Sequence, residues 1–173
     1  SLDSPDGTAS IAFAPNGFGQ ATQAIRGPVG SAEIFAENAQ YYPSGSINTF
    51  TYGNGVLHKT HINSRLMPRQ ITDKYSGQDR VNLSYEYDNN NNITHLTNTR
   101  DAGIYSLTNL SYDGLDRLTS TTGGSGIGSS ALVYDGLGNI HSYSNTSSFK
   151  PHNLSYSYSS DNRLSSVVKT ENS

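Results

Sequence analysis

Short alternating runs of apolar and polar residues recur along the chain, broken every eight to twelve positions by Asn, Asp, Gly or Pro. Leu83-Ser84-Tyr85-Glu86-Tyr87 and Leu154-Ser155-Tyr156-Ser157-Tyr158 alternate strictly, and Ile93-Thr94-His95-Leu96 and Ile140-His141-Ser142-Tyr143 mix apolar with polar positions in the outgoing arms. A period of two with β-branched and aromatic enrichment predicts strands with one face toward apolar neighbours. Between paired runs lies Asp-x-x-Gly or an Asn-rich equivalent. Asp and Asn accept hydrogen bonds from backbone a few residues on, and Gly tolerates positive φ, so these segments predict tight turns. Asn54-Gly55, between Thr49–Tyr52 and Val56–His58, is a further hairpin signal. Ser31–Gln40 is the only stretch with helical character, and Gly123–Ser130 reads as a flexible connecting loop.

The strand–turn–strand units repeat. The phrase Tyr-Asp-x-x-Gly-(Asn/Arg)-(Ile/Leu) is clearest at Tyr134-Asp135…Gly138…Ile140 and at Tyr112-Asp113…Arg117-Leu118. Tyr87-Asp88…Ile93 keeps the frame with Asn91 at the Gly place. Tyr158…Arg163-Leu164 and Tyr41…Gly45…Ile47 keep parts of it. Thr60–Leu66 retains Arg65 and Leu66, and Pro15–Ala21 retains Gly19. Units therefore begin near 15, 41, 60, 87, 112, 134 and 158, about 24 residues apart, and the whole of 1–173 is expected to be one repeat array cut from a longer chain. The predicted fold is all-β, an antiparallel strip of hairpins.

Composition narrows the alternatives. Only 33% of the 173 residues are hydrophobic, against 75 that are Ser, Thr, Asn or Gly. That supply of Ala, Leu, Glu and Lys excludes a helical bundle, while 14% charged and 10% aromatic residues oppose disorder. Net charge is −3 with the basic residues scattered, which leaves no nucleic-acid footprint. No apolar run nears the roughly 20 residues of a membrane helix. With no Cys, disulfides and thiolate chemistry are out. The first residue is Ser1 rather than Met and no charged-then-apolar leader follows it, so the chain is expected to be an excised segment without targeting information.

Over residues 10–168 the phrase, its spacing and the Tyr/Asn/Gly composition resemble the YD-repeat or Rhs-repeat family, which includes bacterial Rhs polymorphic toxins, the C component of insecticidal Tc toxins, wall-associated proteins and teneurins. The resemblance implies a curved slice of a β-sheet strip that spirals into a hollow shell. In toxin members that shell encloses a C-terminal effector. It also implies secretion or cell-surface display. The family's terminal Arg-Tyr-Tyr-Asp-Pro-like core is absent from this sequence, so no toxin or autoproteolytic activity is carried over.

Candidate chemistry is sparse. Asp88, Asp113 and Asp135 occupy equivalent repeat positions, which favours turn capping over paired-carboxylate catalysis. Asp88–Asn92 begins like a calcium loop, but Ile93 and Thr99 stand where its Gly and Glu belong. The five His share no metal spacing, and no nucleophile motif occurs. Neither a catalytic residue, a metal nor a cofactor is expected. The repeated Tyr suit cross-strand packing with a solvated hydroxyl, or, as the rival, an extracellular glycan-binding face. Expected partners are neighbouring repeats, an enclosed effector, and further copies through open sheet edges.

Overall fold

The computed structural model describes residues 2–3, 10–27, 33–149 and 151–170. Among the described residues fifteen strands lie in chain order, each hydrogen-bonded to its neighbours in sequence, and the ladders are antiparallel. The chain divides into two compact units, Ser1–Leu83 and Ser84–Ser173. The first holds β1 (Leu2–Asp3), β2 (Ser10–Ala12), β3 (Ala24–Arg26), β4 (Glu33–Tyr41), β5 (Ile47–Tyr52), β6 (Leu57–Ile62) and β7 (Pro68–Tyr75). β8 (Gln78–Tyr87) runs through the division. The second holds β9 (Ile93–Asn98), a four-residue helix α1 (Ala102–Tyr105), β10 (Leu107–Tyr112), β11 (Leu118–Gly123), β12 (Ser130–Tyr134), β13 (Ile140–Asn145), β14 (His152–Tyr158) and β15 (Leu164–Thr170).

Among the described residues no hydrophobic side chain is buried, and the buried ones are Thr72, Ser106, Thr121, Asn145 and Ser147. A chain with this few apolar residues forms single-layer sheet, in which a strand gains cover from its lateral neighbours rather than from an opposing layer.

Two expectations are corrected. The helical character of Ser31–Gln40 is not a helix: Glu33–Tyr41 is β4, and residues 31–32 lie outside the described set. The cause is a bulge. Asn38 has φ 57°, and the β4–β5 register shifts between Glu37 and Gln40. The inserted residue brings Ala36 and Ala39, three apart, to one hollow with Phe50 and Ile47, and so imitates helical spacing.

The Gly-rich run is not a slack connector either. Gly124 N–H donates to the Ser106 carbonyl at 2.9 Å, and Gly126 N–H to that of Ile104 at 3.0 Å. Ser147 Oγ donates to the Gly126 carbonyl at 2.7 Å, and Asn145 Nδ2 to that of Ile127 at 3.0 Å. A Cβ at Gly124 would stand 2.6 Å from the Gly103 carbonyl, and one at Gly128 would collide with the Ser147 backbone. These glycines permit three successive connections to interlock.

Candidate functional site

The repeated chemistry gathers at the turns joining alternate strand pairs. In the first unit these are residues 16–20, 42–46 and 63–67; in the second, 88–92, 113–117, 135–139 and 159–163. All seven share one hydrogen-bond plan. The first residue's N–H donates to the fifth residue's carbonyl, as in Asp135→Asn139 at 2.9 Å. The fourth residue's N–H donates back to the first carbonyl, as in Gly138→Asp135 at 3.1 Å. The fourth residue always has positive φ: Gly19 78°, Gly45 87°, Leu66 63°, Asn91 73°, Asp116 58°, Gly138 89°, Asn162 59°. Such a turn ends in a bulge, and the register shifts at Tyr41, Ile62, Tyr112, Tyr134 and Tyr158, each just before its turn.

The side chain at the first turn position closes the loop. Asp113 Oδ1 accepts from the N–H groups of Leu115 (2.9 Å) and Arg117 (3.0 Å), and Asp135 Oδ1 from those of Leu137 and Asn139 (both 2.9 Å). Asp88 does the same for Asn90 and Asn92, Asn16 for Phe18 and Gln20, and Asn63 for Arg65 and Met67. The second carboxylate oxygen takes the fifth residue's side chain. Arg117 Nε reaches Asp113 Oδ2 at 2.7 Å, and Asn139 Nδ2 reaches Asp135 Oδ2 at 2.9 Å. Hence the phrase requires Asn or Arg there: both donate, and a carboxylate only accepts. These bonds hold the Asp113 carboxyl below its usual range, chiefly through the Arg117 side chain, and that of Asp135 chiefly through Asn139. The three aspartates thus act as caps, and the calcium-like run at Asp88 is spent on its own turn.

One unit is offset from its expected frame. The turn after β6 is Asn63–Met67, with Ile62 paired to Pro68, so the phrase starts at 62 rather than 60. Leu66 holds the left-handed position, not the shoulder of Leu118, and Arg65 projects at the exposed third place. The sequence match on Arg65-Leu66 was a coincidence of residue types. Asn63, a capping Asn like Asn16, was the signal available.

Successive hairpins are joined by tyrosines. Pairing between β9 and β10 is limited to Leu107↔Leu96, and between β11 and β12 to Ser120↔Ala131 and Thr121↔Ser130. On the turn side the carbonyls of Ile93 and Leu118 lie beyond those pairs, and a tyrosyl hydroxyl meets each. Tyr112 donates to Ile93 at 2.8 Å, Tyr134 to Leu118 at 2.9 Å, and Tyr158 to Ile140 at 2.8 Å. In the first unit Tyr41 donates to Ala21 at 2.6 Å. These hydroxyls are bonded to protein, not left to solvent. Burial, and the charge of Asp88 after it, raise the Tyr112 phenol above its ordinary range. The Arg117 guanidinium lies 4.4 Å from the Tyr134 ring centroid, and Asn92 Nδ2 donates across to Asp116 Oδ1 at 2.8 Å. In the second unit each turn thereby holds the next.

Elsewhere, one row has the order of a nucleophilic triad. His58 Nδ1 lies 2.7 Å from Asp73 Oδ1 and Nε2 lies 3.0 Å from Thr60 Oγ1, with Phe50 stacked on the ring. Thr60 stands within β6 opposite Ile71 of β7, and its carbonyl accepts the Tyr42 hydroxyl at 2.8 Å. His58 and Asp73 are direct cross-strand partners. Among the described residues no group of three His, Cys, Asp or Glu could hold a metal. A hollow of about 490 Å³ in the first unit is lined by Asn16, Phe18, Gln20, Tyr41, Tyr42 and Pro43. Its Asn16 amide bonds Gln20 Oε1, and its tyrosyl hydroxyls bond Ala21 and Thr60 carbonyls. Among the described residues no helix is long and apolar enough to cross a membrane.

No family model and no curated protein matches the sequence. Solved structures do share the fold. The Photorhabdus luminescens Tc holotoxin pore aligns over 96% of this chain with TM-score 0.78, and a TcdB2–TccC3–TEV structure over 96% with TM-score 0.77. A TcdB2–TccC3–Cdc42 structure aligns over 90% with TM-score 0.74. Identity is 18% in each, and the aligned part is 9% of the longer chain.

Proposed function

We propose that this chain is a non-enzymatic stretch of a Rhs/YD-repeat wall, one that grows by adding hairpins and encloses or presents an effector domain outside the cell. The tyrosyl hydroxyl set on the preceding hairpin's carbonyl carries this reading. It recurs at Tyr41, Tyr112, Tyr134 and Tyr158, and it spends the repeat's most distinctive residue on joining one unit to the next. The capping aspartates are spent likewise. The shared fold with far longer Tc toxin structures supports a segment role, and a secreted setting is proposed on the same comparison.

The test is protease protection. In a longer product of the same gene, a domain following further repeats should resist trypsin while the wall is intact and become sensitive once it is unfolded. A downstream domain cut equally fast in both states overturns enclosure. The glycan-binding alternative draws on the aromatic and amide lining of the first-unit hollow. It predicts a sugar hit on a glycan array that is lost in a folded Phe18→Ala variant.

A further inference from the structure

The joint between hairpins defines what the outer edge of β15 accepts. In the second unit, the residue after each turn offers a carbonyl that the following hairpin's Tyr occupies: Ile93, Leu118 and Ile140. Leu164 holds the same place after the turn at 159–163, being paired to Tyr158 as Leu118 is to Tyr112. Among the described residues no hydroxyl donates to it. Arg163 stands where Arg117 stands, and no described aromatic ring lies over its guanidinium. All seven residues of β15 are exposed, including Leu164, Val167 and Val168. A strand with one paired edge and apolar groups on both faces accepts another strand.

We infer that β15 is an acceptor edge selective for a further hairpin of this repeat, lying outside the 173 residues, whose incoming strand ends in Tyr. That Tyr donates its hydroxyl to the Leu164 carbonyl and lays its ring under Arg163. The inference rests on the wall reading above and continues the joint already formed between the second unit's hairpins. The solved structures that share the fold are long enough to hold many more such units.

The probe is a fluorescein-labelled peptide copying Ser130–Asn145, one hairpin with Tyr134 before its turn, added to the full chain and followed by anisotropy. Saturable one-to-one binding is expected, about fivefold weaker for the Tyr134→Phe peptide, as befits one lost hydrogen bond. An Arg163→Ala chain should bind both peptides more weakly. Equal binding of the Tyr and Phe peptides overturns the inference and leaves the wall reading standing. Failure of the Tyr134 peptide to bind overturns the inference and leaves the wall reading to its protease-protection test. A dimer, seen by sedimentation, that the peptide does not displace overturns the inference in favour of a second copy as occupant.

Discussion

Leu66 holds a backbone conformation that L-residues adopt at a cost of roughly 1–2 kcal/mol, at a place where Gly45 and Gly138 sit freely. Its side chain is exposed and offers little packing in return. Leu66→Gly should therefore stabilise the protein by about 1 kcal/mol, read as a higher urea midpoint with unchanged slope. Gly138→Ala should cost a similar amount, since strain rather than crowding opposes a Cβ there. The carboxylates set the acid limit. The folded-state pKa values of Asp113 and Asp135 lie below the unfolded ones, so their contribution is present above about pH 4 and is lost as pH falls through the folded values. Urea midpoints at pH 7 and pH 3 should differ less in an Asp113→Asn/Asp135→Asn double variant than in the parent. The opposite sign applies to Tyr112. Its raised phenol stabilises below about pH 10, and ionisation above that removes the donor that Ile93 needs.

At the level of elements, a hairpin is fixed by its turn and a pair of hairpins by its tyrosine. Tyr134→Phe removes one hydroxyl from the Leu118 carbonyl and should cost about 1 kcal/mol, with the largest rise in amide exchange around β11 and β12. The turns were legible in the sequence because their chemistry is local: Asp135, Gly138 and Asn139 lie within five residues of one another. The strand order followed from the same locality, each hairpin being closed by a short loop. The tyrosyl hydroxyls were not legible, since Tyr134 and Leu118 are sixteen residues apart and sequence does not show where the pairing between β11 and β12 gives out. The two-residue offset at Asn63 was missed because Arg65 and Leu66 imitated a shoulder. The bulge at Asn38 was missed because one inserted residue turns a period of two into a spacing of three.

The molecule has no apolar core among its described residues, which sets its thermodynamic character as a whole. Its strand apolar residues are mostly half-buried rather than enclosed, so unfolding exposes less apolar surface than in a cored domain and its heat-capacity change should fall short of the usual 12–15 cal/mol/K per residue. Calorimetry on the monomer checks this. Substitutions should cost according to the donor or acceptor they remove rather than the volume they empty, so a Leu→Ala scan should be flat where a Tyr→Phe scan is not. The interlocked run from Gly123 to Ser130 carries a practical corollary. Glycine- and serine-rich stretches are where proteases nick a chain and where engineers place epitopes or split sites. Here the backbone of that stretch is committed to the connections on either side of it, and an insertion at Gly126 would separate three loops at once.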